Sequence, residues 1–320
     1  MILPELGADI NQGPGTRLNR SDSLLVTMFL GRSGRGGNKL PMPHMGQPGR
    51  DFIDLKTMKI VVSINWNSIV DLPPQLSSSN CIEDVAGKEY EGVNYTRQEL
   101  LNNFCEIAKC FFSDEGYYKV GGNRPMVYIK NKTAEIYAKD SKAMYDSIRR
   151  AVKEATGYDI YIVAESADVW CNQMRYQYFY MSGGVDAVAS RNMYDQSEVT
   201  RSYMYPQMID QNWKYNRETA LPAFGDGSME LIPTVGPGWN KLIQDGRGAI
   251  GNSPIVKRDP ATYRTICNVA KMNAGRNRLI FIDSYNKYNF DSFIEPTVEG
   301  YGNGYGKTYL QITREQFKKN

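Results

Sequence analysis

Histidine is almost missing from this sequence: His44 is the only one in 320 residues. That excludes a serine–histidine triad and a two-histidine metal site, and leaves acid/base work to carboxylates, tyrosines or lysines. The five cysteines, Cys81, Cys105, Cys110, Cys171 and Cys267, are odd in number, scattered and without metal-ligand spacing. They read as small core residues rather than a disulfide scaffold or a zinc site, and no metal or cofactor is implied. No Gly-x-Gly-x-x-Gly follows an apolar run and no phosphate-cradling loop is present, which deprives a nucleotide site of its usual support. Excess charge is missing too: 38 Lys and Arg against 35 Asp and Glu give +3, too little for a nucleic-acid footprint. The basic stretch Gly31 to Lys39 reads as a glycine-rich loop. No apolar run reaches membrane-span length, and the N-terminus lacks a basic-then-apolar signal pattern. The expectation is a soluble protein with no membrane span, periplasmic or extracellular if an export signal was removed and cytoplasmic otherwise.

Aromatic residues are plentiful, 12% of the chain with 22 tyrosines, and 41% of residues are hydrophobic. Such a chain can bury a large core and present rings to a ligand. Residues 1 to 56 are rich in Gly, Pro, Asn and Arg and form an irregular segment with at most one strand, Leu24 to Leu30. From residue 57 to 320 the pattern is regular, and short apolar runs predict strands at Ile60 to Asn67, Pro125 to Ile129, Asp159 to Ser166, Val185 to Ser190, Met229 to Val235 and Leu279 to Ile282. Helical patterns lie between them: Thr96 with Glu99 forms a capping box, Ser141 to Thr156 is amphipathic and stops at Gly157, and Asp259-Pro260 opens a helix to Met272. Further helices are expected over Asp168 to Tyr180 and within Pro206 to Thr219. Strands alternating with helices predict an α/β fold with a parallel sheet, either a (β/α)8 TIM-type barrel, incomplete or irregular at its N-terminal end, or an open doubly wound sheet.

Polar and aromatic residues gather where these strands end, and a barrel would bring those ends to one face. The stretch after Leu279 to Ile282 interleaves Asp283, Ser284, Asn286, Asp291 and Glu295 with Tyr285, Tyr288, Phe290 and Phe293. Amides and carboxylates suit sugar hydroxyls, and flat rings suit the apolar faces of a pyranose. The same composition also describes an ordinary loop over core aromatics. Glu165 ends a strand, with Asp168 and Trp170 close behind, and is either a general acid/base or a salt-bridged cap. Asp291 and Glu295 could form a carboxyl pair suited to glycoside hydrolysis, or Glu295, preceding Pro296, anchors the loop. Trp66 and Trp239 are sugar platforms or core, and Asn65, Asn240 and Asn286 bind hydroxyls or close turns.

Several stretches in order resemble one family. Asp114 to Tyr128 is similar to its "Y-x-K-V-D-G-K-P-V", Ile232 to Asn240 to its "P-x-V-x-P-G-W-D", and Phe281 to Pro296, with Tyr305-Gly306 and Tyr309-Leu310, to its "I-x-S-W-N-E-W-x-E-G-T-x-I-E-P … Y-G-x-x-Y-L". This is the WbsX-like and endo-α-mannosidase-like group, glycoside hydrolase family 99 and its relatives. The resemblance implies a (β/α)8 barrel, a polysaccharide or glycan partner, and an origin in surface-polysaccharide pathways or among exported bacterial proteins. It also implies two catalytic carboxylates in "N-E-W-x-E-G", where this chain has Lys287 and Phe290. Asp291 reaches the second position only by a shift of register. The family's first two strand–helix units find a counterpart only in Leu24 to Leu30, so a partner chain or a missing N-terminal piece would complete the barrel.

Two functions stand at this stage. One is a glycoside hydrolase-like enzyme with Glu165, Asp291 and Glu295 as its carboxylates and Asn65, Trp66, Asp168, Trp170, Trp239, Asn240, Tyr285, Asn286 and Tyr288 holding the glycan. The other is a non-catalytic carbohydrate-binding or polysaccharide-biosynthesis protein that kept the barrel and lost the acids, which Lys287 and Phe290 favour.

Overall fold

The computed structural model describes residues 2–4, 25–29, 59–65, 88–90, 93–95, 97–130, 141–165, 184–190, 202–224, 227–240, 256–298 and 304–317. Strands β1 (Ile2–Pro4), β2 (Leu25–Phe29) and β3 (Lys59–Asn65) are followed by a small hairpin, β4 (Lys88–Tyr90) with β5 (Val93–Tyr95), and helix α1 (Arg97–Phe111). Then come β6 (Lys119–Val120), β7 (Arg124–Lys130), α2 (Ser141–Thr156), β8 (Tyr161–Glu165) and β9 (Ala187–Ala189). Helices α3 (Tyr205–Tyr215) and α4 (Leu221–Phe224) lead to β10 (Glu230–Ile232), β11 (Thr234–Val235), α5 (Pro260–Asn273) and β12 (Ile280–Ile282). A hairpin of β13 (Asn286–Lys287) and β14 (Ser292–Phe293) precedes the last helix, α6 (Thr308–Phe317).

Local chemistry explains the helices that position the sheet. On α2, Met144, Ile148 and Val152 recur every fourth residue and are buried, and Gly157, at φ +79°, takes the left-handed turn that ends it. At α5 the Asp259 carboxylate accepts from the Thr262 N–H at 2.7 Å and Pro260 supplies the first turn. The helix expected within Pro206 to Thr219 is α3, which runs through a π-helical turn, Asn216–Ala220, into α4. The one expected over Asp168 to Tyr180 lies outside the described residues.

The sheet is parallel and follows the chain: β2, β3, β7, β8, β9 and β10 pair in that order, and β11, β12 and β1 continue it. The run expected as one strand, Met229 to Val235, is split by Pro233, which has no N–H to give. Ile232 C=O accepts from Ser190 N on one side while Pro233 C=O accepts from Phe281 N on the other, both at 2.9 Å. Residues 1 to 56 provide two strands rather than one. Ile2–Pro4 is too short for its pattern to show in sequence, yet it pairs with β12 and lies beside β2.

Alternation along the strands sorts side chains into two cores. Val62, Val127, Ile129, Ile162, Ala164, Leu231, Ile280 and Ile282 pack with α1, α2, α3 and α5. Val61, Met126, Tyr128, Tyr161, Val163, Ala187, Ala189, Ile232, Leu279 and Phe281 pack with one another on the opposite face. Tyr128 on β7 meets Phe281 on β12 edge-to-face with centroids 5.3 Å apart. In a flat sheet these strands, four pairing steps apart, would be separated by about 19 Å. The strands are therefore strongly curved, or rolled, which brings β7 and β12 together across this second face.

Candidate functional site

The rolled sheet has two ends. At the strand starts, the Asp186 carboxylate accepts from Arg124 Nη2 at 2.7 Å, Arg149 Nη2 at 2.6 Å and Ile162 N at 2.8 Å. Beside it, Glu230, which is buried, accepts from the Tyr161 hydroxyl and from Asn277. The Asp186 and Glu230 carboxylates at this end are thus both matched by donors of the protein itself, the arrangement expected of a structural role.

At the strand ends the composition changes. Glu165, the last residue of β8, is 6% exposed and accepts a hydrogen bond from the Tyr128 hydroxyl at 3.1 Å. Tyr128 carries the link across the roll, because its ring rests on Phe281. Two residues beyond Phe281, Asp283 continues the same alternation and is also buried. Its carboxylate is met by Lys287 Nζ at 3.1 and 3.4 Å. The Lys287 ammonium also lies 5.2 Å from the centroid of the Trp239 ring and 5.4 Å from that of Phe290. Those two rings stack at 4.1 Å with an interplanar angle of 9°.

The hairpin after β12 is held at several points. Asn240 N–H donates to Phe290 C=O at 2.7 Å, Ser292 Oγ donates to Asp283 C=O at 2.7 Å, and Ile294 and Glu295 N–H groups both donate to Tyr285 C=O. Tyr285 is buried, and burial with the nearby Glu295 charge pushes its hydroxyl pKa up to about 12. The Tyr288 hydroxyl donates to Glu295, and burial together with that bond raises its pKa well above the usual range. Asp291 sits at φ 53° at the hairpin tip and pairs with Arg258 Nη1 at 3.0 Å. Burial raises the Asp291 pKa, and the guanidinium works against that rise. Asn286 Oδ1 is buried without a hydrogen-bond partner among the described residues.

These placements divide the residues expected from sequence. Glu165, Trp239, Asn240, Tyr285, Asn286 and Tyr288 lie at strand ends or on the segments just after them. Asp291 and Glu295 each have a separate partner, Arg258 and Tyr288. Asn65 ends β3, with its side chain outside the described residues, as are Trp66, Asp168 and Trp170 entirely. From sequence, Asp283 is marked only as one of the polar groups after β12, not as a catalytic candidate, and Tyr128 and Arg258 not as site residues at all. Strand alternation from Met126 and Phe281 points to Tyr128 and Asp283, whereas no periodic signal marks Arg258. Among the described residues no cluster of three His, Cys, Asp or Glu could hold a metal ion, and no helix is long and apolar enough to cross a membrane.

No family model matches the sequence, and no curated protein does. Solved structures do. A "Glycoside hydrolase-like protein" superposes with a TM-score of 0.67 at 23% identity, over 85% of this chain and 74% of that one. The GH99 endo-alpha-mannosidase from Bacteroides thetaiotaomicron superposes with a TM-score of 0.54 at 15% identity, over 92% of this chain and 75% of that one. Its complex with bis-tris-propane gives 0.53 at 16%, over 92% and 78%. At such identities the likeness speaks for architecture: the chain has a glycoside hydrolase-like α/β fold.

Proposed function

We propose that the chain is one (β/α)8 barrel, built from both the N-terminal segment and residues 57–320, that binds a glycan at its C-terminal rim and hydrolyses it with Glu165 as general acid/base. The observation that carries this reading is the Tyr128 bridge, which ties the Glu165 carboxylate to Phe281 across the roll and so sets Glu165 and Asp283 at the same end of the enclosed face. Glycoside hydrolysis needs two carboxyl groups flanking the bond to be cut. Asp283 is the better second carboxylate than Asp291 or Glu295 because it extends the same strand face as Phe281; all three are paired, Asp283 with Lys287, Asp291 with Arg258 and Glu295 with Tyr288. Trp239, Phe290 and Lys287 then form the wall beside it, with rings for sugar faces and Asn286 Oδ1 for a hydroxyl.

A second reading has its own observation. Lys287 and Phe290 stand where the resembled family has its acids, one paired with Asp283 and the other stacked on Trp239. A rim so neutralised suits glycan binding without cleavage. The test is release of reducing ends from α-mannan, chosen for the endo-alpha-mannosidase neighbour, and from a panel of other polysaccharides. Wild type is compared with Glu165→Gln and Asp283→Asn. Loss of an acid/base group lowers turnover by about 10²- to 10⁴-fold. Undiminished turnover in Glu165→Gln ends the site assignment, and binding without cleavage in wild type establishes the second reading.

A further inference from the structure

Arg258 has no motif to announce it, but it occupies an unusual place. Its side chain is 1% exposed, and the guanidinium lies 4.0 Å from the ring centroid of Phe293, 4.4 Å from that of Tyr305 and 4.3 Å from that of Tyr309. A buried guanidinium is costly unless its charge is met and its N–H groups are used. Here Nη1 donates to Asp291 Oδ1 and Nη2 to Phe293 C=O, both at 3.0 Å. Both acceptors belong to the rim hairpin. The other end of the side chain is rooted two residues after Val256, whose N–H and C=O exchange hydrogen bonds with Trp239 at 3.1 and 2.8 Å. Trp239 in turn stacks on Phe290, and its neighbour Asn240 donates to Phe290 C=O at 2.7 Å. The contacts close a loop: strand end to Trp239, Trp239 to Val256, Arg258 to the hairpin tip, and the hairpin back to Trp239.

We propose that Arg258 is the positioning residue of the rim, gripping Asp291 and the Phe293 carbonyl so that Lys287 and Phe290 are presented against Trp239, and that Asp291 serves this grip rather than the chemistry. The proposal rests on the reading of the rim as the glycan site. It also gives a role to Tyr305 and Tyr309, which the sequence marked and the reaction leaves unused: they wall the guanidinium in. Arginine is required because the grip uses two N–H groups of one planar fork at the same time, which a lysine ammonium on its flexible stem does not reproduce. Asp291 is held at φ 53°, a conformation asparagine shares more readily than other side chains with a Cβ.

Arg258→Lys, Asp291→Asn and Asp291→Ala separate gripping from chemistry. Amide hydrogen exchange followed by mass spectrometry on the full chain reads the hairpin directly. In Arg258→Lys and Asp291→Ala, exchange over 286–294 is expected to rise about 10- to 100-fold, as loss of a charge-assisted hydrogen bond dictates, while exchange in α2 stays within about twofold. Binding of α-mannan should weaken about tenfold or more in the same two variants. Asp291→Asn, which keeps an oxygen for Arg258 and tolerates the backbone, should hold hairpin exchange and α-mannan binding within about threefold of wild type. Unchanged hairpin exchange in Arg258→Lys overturns the proposal, and so does an equal rise in α2. A loss of turnover of about 100-fold in Asp291→Asn with the hairpin still protected also overturns it, because Asp291 would then be a reacting group. If wild type neither binds nor cleaves any polysaccharide of the panel, the glycan reading falls, and the exchange contrast still decides whether Arg258 fixes the hairpin.

Discussion

Replacing Gly238 by alanine should be unusually costly, and the reason is steric rather than conformational. A Cβ at this position would stand 2.5 Å from Arg258 Cγ, 3.1 Å from Val256 O and 3.2 Å from Arg258 N. Two of these atoms are backbone, in the segment that bridges to Trp239. The third belongs to a stem with nowhere to go, since the guanidinium beyond it is caged by three rings and bonded to Asp291 and Phe293. Relief therefore means either breaking the Arg258 grip or separating Gly238 from the 256–258 segment. Overpacking a well-filled interior costs about 1–3 kcal/mol, and with no yielding neighbour the upper end, about 3 kcal/mol, applies. Gly157→Ala is the control: its φ is +79° but nothing lies within 4 Å of a new Cβ, so only backbone strain of about 1 kcal/mol is paid. Urea denaturation resolves the two, because with an m value of about 3 kcal/mol/M the midpoint falls by about 1 M for Gly238→Ala and about 0.3 M for Gly157→Ala. In an Arg258→Ala background, which removes Cγ, most of the Gly238→Ala penalty should disappear. A Gly238→Ala cost no larger than that of Gly157→Ala would refute the reasoning.

Three further outcomes follow from groups placed at defined points. Asp186→Asn removes the charge shared by Arg124 and Arg149; since both guanidiniums are partly exposed, thermal unfolding should show a loss of about 1.5–3 kcal/mol rather than the larger cost of a fully buried pair. Tyr117→Phe strips the hydroxyl that accepts from Val62 N and donates to Met126 C=O, leaving two buried backbone groups unmet between β3 and β7; a cost of about 1–3 kcal/mol in chemical denaturation is expected, and one below about 0.5 kcal/mol would count against it. Asp259→Ala should cost about 1 kcal/mol at neutral pH through loss of the α5 cap. Hydrogen bonds from Thr262 hold the Asp259 pKa below its usual value, so the folded chain releases this proton more readily than the unfolded one. The cap's stabilisation is thus fully present above the unfolded carboxylate pKa, about 3.9, and fades as pH falls through the lower folded value. The stability difference between wild type and Asp259→Ala should shrink correspondingly in acid, and a difference that grows there would contradict the assignment.

Much of the architecture was legible because it is local. Ser141 to Thr156 and Asp259 to Asn273 carry their caps, periodicity and stops within the segment, and the parallel strands β3, β7, β8, β9 and β12 show as apolar runs, whereas the short hairpin strands β4, β5, β6, β13 and β14 do not. What failed to show was short or non-local. Ile2–Pro4 is a strand because β12 offers it a ladder, not because three residues have a pattern. Met229 to Val235 reads as one run, yet Pro233 divides it because each half must satisfy a different neighbour.

The rim follows the same division. Glu165 is visible in sequence as a carboxylate ending an apolar run, and the polar and aromatic mixture after β12 is visible as composition. That Tyr128 would reach Glu165, that Asp283 would be answered by Lys287, and that Asp291 would be taken by Arg258 depended on residues 4 to 37 positions apart meeting in space. Local preference determines which segments are strands and helices, since its terms act within a few residues. Which carboxylate is buried at a strand end and which is paired with an arginine is decided only in the packed chain, because burial and ion pairing are properties of tertiary structure.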